Sequence, residues 1–455
     1  MTQTANEPAA TTGHAAPGEP TEVARTLQGP TPQTLGGLDQ GAFWVNLGVS
    51  LLGFTGASTV LVHTGVAPLT LGAALAATVV GTVLGSIMLG LAAVPGARTA
   101  APSMVLMRGL FGAKLSVIPT ALNVLQLIGW GTFELLAIAQ GARAVFHGGP
   151  HWLYVLIAAV ITIVLTIKPL GAVRLLRRYV TVAVAIALVY LFVQVLRQPV
   201  PPVRGGSWHG FWLGADAALA VAVSFIPVAS DYSRHSRSTK AAFGAAAVGY
   251  ALAQILCYAL GLLVLLQAGN LADPYRPFIA IPLGAVFLGV IVLREVDQSF
   301  SNVYSTGVSL QNLLPRADRR ILTVGIGLLC TAIALLLTID AYAGFLTLIG
   351  SVFVPMFGVL AADYFTHGKR DWDLSTRAPS RWGMLLAWLI GLVVYQLINP
   401  GEVAGWSELW QHIANAVGFT PQSWMSASLF SFVISLAAGF LLALPQRRAA
   451  RGARE

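Results

Sequence analysis

The sequence predicts an all-α, polytopic membrane protein, and three observations carry that prediction. Apolar residues fill 56% of its 455 positions and charged residues only 10%, a balance at which a soluble chain would precipitate. The apolar residues fall in runs of about 20, the length a helix needs to cross the hydrocarbon core. Between those runs the basic residues sit in short clusters that alternate between rich and poor along the chain.

Taken in order, twelve segments meet the length requirement, near 43–66, 69–94, 115–146, 152–167, 179–196, 211–230, 243–267, 278–313, 321–339, 341–364, 382–397 and 425–444. The eighth is too long for a single crossing, so part of 278–291 is expected along the outer surface. Residues 1–40, rich in Ala, Thr, Gly and Pro, lack the basic start and short apolar core of a signal peptide, and they read as a disordered cytoplasmic tail. A transmembrane domain then spans 41–444, and 445–455 forms a basic cytoplasmic tail.

Basic residues resist translocation, so their side of the membrane sets orientation. With the amino terminus inside, 22 of the 27 Lys and Arg fall in cytoplasmic segments, and Arg143, Arg197, Arg204 and Arg276 fall outside. Arg294 alone lies within a span. A missed or invented span would swap the side of every later loop, so the asymmetry also supports the count of twelve. Both termini are expected in the cytoplasm, in a multi-pass protein of the inner (plasma) membrane. Trp152, Trp208, Trp212, Trp382, Trp406 and Trp410 cluster at predicted span ends, as an aromatic belt does.

The formal charge of +9 does not indicate a nucleic-acid partner, because the basic residues follow topology rather than one stripe. Cys257 and Cys330 both sit in apolar runs, which offers neither a disulfide framework nor a zinc site. No metal cluster, nucleophile elbow or phosphate-binding loop is present, which argues against an enzyme that needs a cofactor or covalent chemistry. A sensor would be expected to carry a folded soluble domain, and neither end of the sequence reads as one.

An ionised side chain is costly in hydrocarbon, so polar residues inside spans and interrupted helices mark the chemistry. Three spans stand out: the first around Asn46, Val49, Ser50 and Gly53, the third from Gln126 to Glu134, and the eighth from Glu295 through Asp297 and Gln298 to Asn302. The sixth adds Pro227 in mid-helix, which removes one backbone hydrogen bond and frees a carbonyl. If the first ten helices form two inverted repeats of five, spans one and six correspond, and paired broken helices point to a binding site at the midplane.

The run SFIPVASDYSR, from Ser224 to Arg234, resembles the signature that closes the sixth helix of nucleobase:cation symporters, the family of purine-cytosine permeases. Trp130 with an acidic residue four positions on, Asn302-Val-Tyr-Ser305, and the segment from Ile349 through Pro355 to Asp363-Tyr-Phe agree with it. The resemblance runs from Leu38 to Leu444. It implies a neurotransmitter-sodium-symporter-like core of ten helices, with helices 1 and 6 broken, plus two peripheral helices. It further implies a cation-coupled importer of cytosine or a purine working by alternating access. Other heterocycles, such as hydroxymethylpyrimidine, allantoin or a hydantoin, are the alternative cargo.

In relatives the tryptophan of helix three stacks on the flat ring and the polar residue four positions later bonds its edge. The resemblance therefore implies Trp130 and Glu134 as substrate residues, and their spacing puts both on one helix face. Phe225 stands where tryptophan is common and keeps a face for stacking. Asn302 and Ser50 complete the substrate set, and Asp297, Gln298 and the Val49 carbonyl are the expected cation set, for sodium or a proton. Two departures matter. The family commonly has glutamine at the position of Glu134, and an ionised carboxylate, which only accepts hydrogen bonds, would favour an amino-edged ring. Relatives also use hydroxyls on sodium where this chain supplies Asp297 and Gln298.

Overall fold

The computed structural model describes residues 23–63, 66–175, 179–268, 275–338, 342–366 and 372–452. The first twenty-two residues of the predicted tail, and the last three of the basic tail, lie outside these. Among the described residues the regular structure is helical, with only isolated bridge pairs besides.

Each of the twelve predicted segments coincides with helix. The first is two helices, α1 (Gly37–Gly48) and α2 (Leu51–Leu61). Then follow α3 (Leu71–Thr99), the short α4 (Ser103–Phe111), α5 (Val117–Val145), α6 (His151–Ile167), the short α7 (Pro169–Leu175) and α8 (Thr181–Leu196). The sixth span is α9 (Phe211–Val223) with α10 (Ile226–Ser233), and the seventh is α11 (Thr239–Gly244) continuing through a π-helical turn into α12 (Tyr250–Ala268). After α13 (Arg276–Ala280) come α14 (Gly284–Leu313), α15 (Arg319–Ala334), α16 (Tyr342–Thr366), α17 (Trp382–Ile398), the surface helix α18 (Trp406–Ala416) and α19 (Ala427–Gly452). By length and apolarity alone five of these qualify as spans, and the bent α1/α2 pair makes a sixth. Of the 278–291 stretch, residues 278–280 belong to the short α13 and 284–291 to the long α14, with Leu283 at φ 54° between them.

Burial runs opposite to that of a soluble protein. The outer faces of α6 and α8 expose Val160, Val164, Val182, Ile186 and Val189, while Arg294, Glu295, Gln298 and Ser299 of α14 are buried. Lipid hydrates no polar group, so charges and amides turn inward where other helices can satisfy them. α5 lies along α14 at the centre, α3 along α9, and α16 along α17 and α19. The closest approach uses small residues: a Cβ built on Gly81 of α3 would sit 2.0 Å from the Ala215 carbonyl oxygen, and one on Gly85 2.8 Å from that of Leu219.

The expected disordered tail over 1–40 needs correction where it is described. From residue 23 the chain packs across one face of the bundle and enters α1 at Gly37. Its backbone makes the contacts: the Arg25 carbonyl accepts from Arg319 N at 2.8 Å and Gln311 Nε2 at 2.8 Å, and Leu27 N donates to Pro315 O. Pro32 O meets the His235 ring, and Leu35 pairs with residues 235–237. Composition flags Ala, Thr, Gly and Pro as disorder-prone, but it carries no signal for carbonyls serving as caps on distant elements.

Candidate functional site

α1 ends at Gly48 and α2 begins at Leu51, with a 57° bend between them. A break of this kind leaves carbonyls at the end of α1 and N–H groups at the start of α2 without helical partners, inside hydrocarbon. Two neighbouring residues of α14 satisfy both ends. The Arg294 guanidinium donates through Nη2 to the Asn46 carbonyl and through Nη1 to Glu295 Oε2 at 2.9 Å. Glu295 Oε1 accepts from Leu51 N at 3.0 Å and from the Ser50 hydroxyl at 2.6 Å. The cation thus meets the negative end of the α1 dipole and the anion meets the positive end of the α2 dipole. One turn on, Gln298 Nε2 donates to Leu47 O at 2.6 Å. Cys257 Sγ donates to the Ser50 carbonyl at 3.2 Å.

The sixth span departs from the expected break: Phe211–Ser233 runs as one span without the sharp bend of the first, and its helix is interrupted only by a two-residue turn. The turn falls at Ser224 and Phe225, and Pro227 takes a first-turn position in α10, where its missing N–H costs nothing. Gln126 Nε2 of α5 reaches the Ser224 carbonyl at 3.3 Å and Asn123 Oδ1 at 2.8 Å, while Asn123 Nδ2 bonds Ser309 Oγ at 2.9 Å and approaches Pro227 O. Here the helix ends meet neutral amides, and at the first break they meet a guanidinium and a carboxylate.

Glu134 of α5 is 3% exposed and lies within electrostatic reach of Glu295 and Arg294. Arg294 is engaged by Glu295 rather than by Glu134. Glu134 Oε2 and the Trp130 indole Nε1, one turn away on α5, are both buried with no hydrogen-bond partner among the described residues. The Trp130 ring meets Tyr342 and Phe345 edge-on, with centroids at 5.8 and 5.4 Å. The Phe225 ring meets Tyr250 at 5.3 Å and Trp44 at 6.4 Å.

The other expected site residues are distributed around this centre. Asn302 faces α5 at Gly131, where a built Cβ would lie 3.8 Å from the Asn302 Cβ. Ser50 is the N-cap of α2, donating to Glu295 and accepting from Leu52 N at 3.0 Å, so its hydroxyl is committed within the protein. Asp297 is buried within electrostatic reach of Arg294 and Glu295, and its Oδ2 has no hydrogen-bond partner among the described residues. Val49 caps α1, its N–H donating to Asn46 O at 3.1 Å. Sequence reasoning gave no role to Glu295 or Asn123. An acid beside an arginine reads as self-compensating, and only the approach of residues some 245 positions apart shows that Glu295 ties α14 to the start of α2.

Near this centre α5 also borders an apolar groove of about 420 Å³ against α15 and α16, lined by Leu125, Gly129, Phe133 and Phe345 among others. Its rim residues Leu125 and Leu337 are lipid-exposed, so it is a packing groove on the outside of α5 rather than part of the polar centre.

Comparison with solved structures gives the same fold. Mhp1, described as a nucleobase-cation-symport-1 family transporter, in a closed conformation with bromovinylhydantoin bound, matches at TM-score 0.73 and 18% identity over 93% of this chain and 96% of its own. An inward-facing conformation of Mhp1 matches at TM-score 0.67 and 17% identity, over 95% of this chain and 96% of its own. A Na+-coupled sialic acid symporter, substrate-bound and outward-open, matches at TM-score 0.61 and 13% identity, over 92% of both chains. Comparison with curated protein sequences gives no match. Residues 38–383 match the family of permeases for cytosine/purines, uracil, thiamine and allantoin. That match takes in the bent first span, the sixth span, α5 and the whole of α14, so the chain belongs to this permease family.

Proposed function

We propose that the protein imports cytosine or a purine across the plasma membrane by cation symport, with both termini in the cytoplasm and the ring bound at the centre of the bundle. The ring lies against the Trp130 face with Phe225 across from it, Asn302 reaches it from α14, and its amino edge is held by Glu134. One observation carries this reading: an unpartnered Glu134 oxygen and an unpartnered Trp130 indole N–H, both buried, one helical turn apart and beside the broken first span. A buried polar atom without a partner is costly, and a planar ligand with donors and acceptors on its edge would relieve that cost. Alternating access is supported by the fold, since its relatives are solved in closed, inward-facing and outward-open forms.

The test is uptake of labelled cytosine, adenine and guanine by cells lacking other permeases. Accumulation of one of them, competed by its unlabelled form, is expected. Absence of uptake for every aminated heterocycle, with the protein demonstrated in the membrane, would refute the substrate assignment.

The unpartnered Trp130 N–H favours a second reading, since a buried donor would suit a carbonyl of a ring such as a hydantoin or allantoin. Mhp1 is solved with a hydantoin bound.

A further inference from the structure

A helix that begins inside the bilayer presents its first N–H groups and the positive end of its dipole to whatever lies before it, which is where a ligand's carboxylate is received at a broken span. α2 begins in this way at Leu51, beside the polar centre. Its anion seat is filled from within the chain. Glu295 Oε1 accepts from Leu51 N at 3.0 Å and from the Ser50 hydroxyl at 2.6 Å, and Oε2 accepts from Arg294 Nη1 at 2.9 Å. The next two N–H groups are also bound, Leu52 N to the Ser50 side-chain oxygen and Gly53 N to the Ser50 carbonyl, each at 3.0 Å. Arg294 gives its other terminal nitrogen to the Asn46 carbonyl. The side chains of Arg294 and Glu295 are fully buried. Two further carboxyl groups, of Glu134 and Asp297, lie within electrostatic reach of this pair, each with an oxygen that has no hydrogen-bond partner among the described residues.

We propose that Glu295 determines specificity by exclusion: it is a built-in carboxylate that fills the anion seat at the start of α2, so the centre refuses molecules carrying a carboxylate and admits rings whose polar edge is uncharged or bears amino groups. The inference deepens the transporter reading above and rests on it, since it names the class of molecule that the same centre rejects. Two physical effects act together. A ligand carboxylate that took the seat would displace Glu295 and leave that side chain buried without its three donors, and a buried charge stripped of its partners is strongly destabilising. A ligand carboxylate that left Glu295 in place would lie among the carboxyl groups of Glu134, Glu295 and Asp297, with the Arg294 guanidinium already engaged. Like charges at close range in a medium of low dielectric repel. Selectivity of this kind lies in a repulsive element and needs no added attraction for the accepted ring.

The experiment melts purified full-length protein with paired probes: cytosine and cytosine-5-carboxylate, uracil and orotate, hydantoin and hydantoin-5-acetate. The wild type is expected to be stabilised by no carboxylated member, whichever of the parent rings it binds. Saturable stabilisation of the wild type by a carboxylated member overturns the proposal, even where every variant fails to fold. Glu295→Ala leaves the Leu51 N–H, the Ser50 hydroxyl and Arg294 Nη1 without their acceptor. That variant is expected to melt below the wild type and to regain a few degrees, saturably, from formate or acetate but not from chloride at the same ionic strength, as a ligand that prefers the folded state gives. Glu295→Gln keeps an acceptor of the same size in the seat and is expected to gain nothing from either anion. A folded Glu295→Ala protein indifferent to both anions overturns the proposal, and so does equal rescue of the two variants, which would put the anion elsewhere. In cells, uptake of the transported ring is expected to become roughly tenfold more sensitive to its carboxylated partner in Glu295→Ala than in the wild type. Failure of every ring to bind or accumulate would count against the substrate reading alone, because the formate and acetate results stand without it.

Discussion

Trp130 and Glu134 stand four residues apart on α5, and the spacing alone makes them share a face. Aromatic stacking on a nucleobase contributes about 1–3 kcal/mol by alanine substitution, or roughly 5- to 150-fold in affinity. Trp130→Ala is therefore expected to raise the half-saturating concentration for uptake within that range, and Trp130→Phe by much less. Equal losses in the two variants would show that the indole acts through packing. Glu134→Gln tests the edge, because glutamine both donates and accepts where an ionised carboxylate only accepts. Competition assays are expected to show the variant shifting from amino-edged rings towards carbonyl-rich ones. An unchanged order of preference would remove Glu134 from recognition. These two residues were legible in the sequence because a local motif displays them. Glu295 was not, since its partners Ser50, Leu51 and Arg294 include two from a helix on the far side of the chain.

At the scale of elements, positions of helices were legible and their joints less so. A long apolar run can satisfy its own backbone in lipid as a helix, so composition marks where helix falls in every predicted segment. The breaks depend on what receives the freed backbone groups. Pro227 flagged the sixth span, but the joint falls just before it, at Ser224 and Phe225, where Gln126 takes up a carbonyl. The seam between α3 and α9 shows what small residues contribute. A side chain at Gly81 would collide with the Ala215 backbone at 2.0 Å, and backbone cannot step aside as a flexible side chain can. Gly81→Val is expected to force the helices apart and destabilise the protein by about 1–3 kcal/mol or more, as overpacking does. Gly325→Ala on α15 is the control, with nothing within 4 Å of the new Cβ. Thermal melting in detergent should separate them. A Gly81→Val protein melting with the wild type would show that α3 and α9 can slide.

The whole molecule is closed on the face that carries the amino-terminal segment. Residues 23–36 lie across it, Arg108 bonds Asn312, and Asp363 holds Arg381 at 2.7 Å. At the opposite end a polar cavity of about 540 Å³ is lined by His63, Asp216, Tyr395 and Glu402. Opening the closed face requires the amino-terminal segment to let go, and His235 makes that step sensitive to pH. Its Nδ1 lies 2.8 Å from the Pro32 carbonyl, which can only accept, and its Nε2 accepts from Arg234 Nε at 3.2 Å. The first contact needs a proton on Nδ1, which the charged ring also carries, whereas the second needs an unprotonated Nε2 and so is made only by the neutral ring. Burial, and then the charges of Arg234 and Arg319, push its pKa down to about 3 from the ordinary 6.5. A base whose pKa is depressed by folding stabilises the folded form fully above its unfolded value, and loses that contribution as pH falls from there towards its folded value. The attachment of the segment should therefore be complete near neutrality and weaken through mildly acidic pH. Hydrogen exchange over residues 25–36, compared at about pH 7.5 and about pH 5 after correction for intrinsic rates, should show protection falling in the wild type. His235→Gln keeps a neutral donor for Pro32 and cannot titrate, so its protection should stay constant. If both proteins lose protection alike, acid releases the segment through other groups, and His235 is only a packing residue on the closed face.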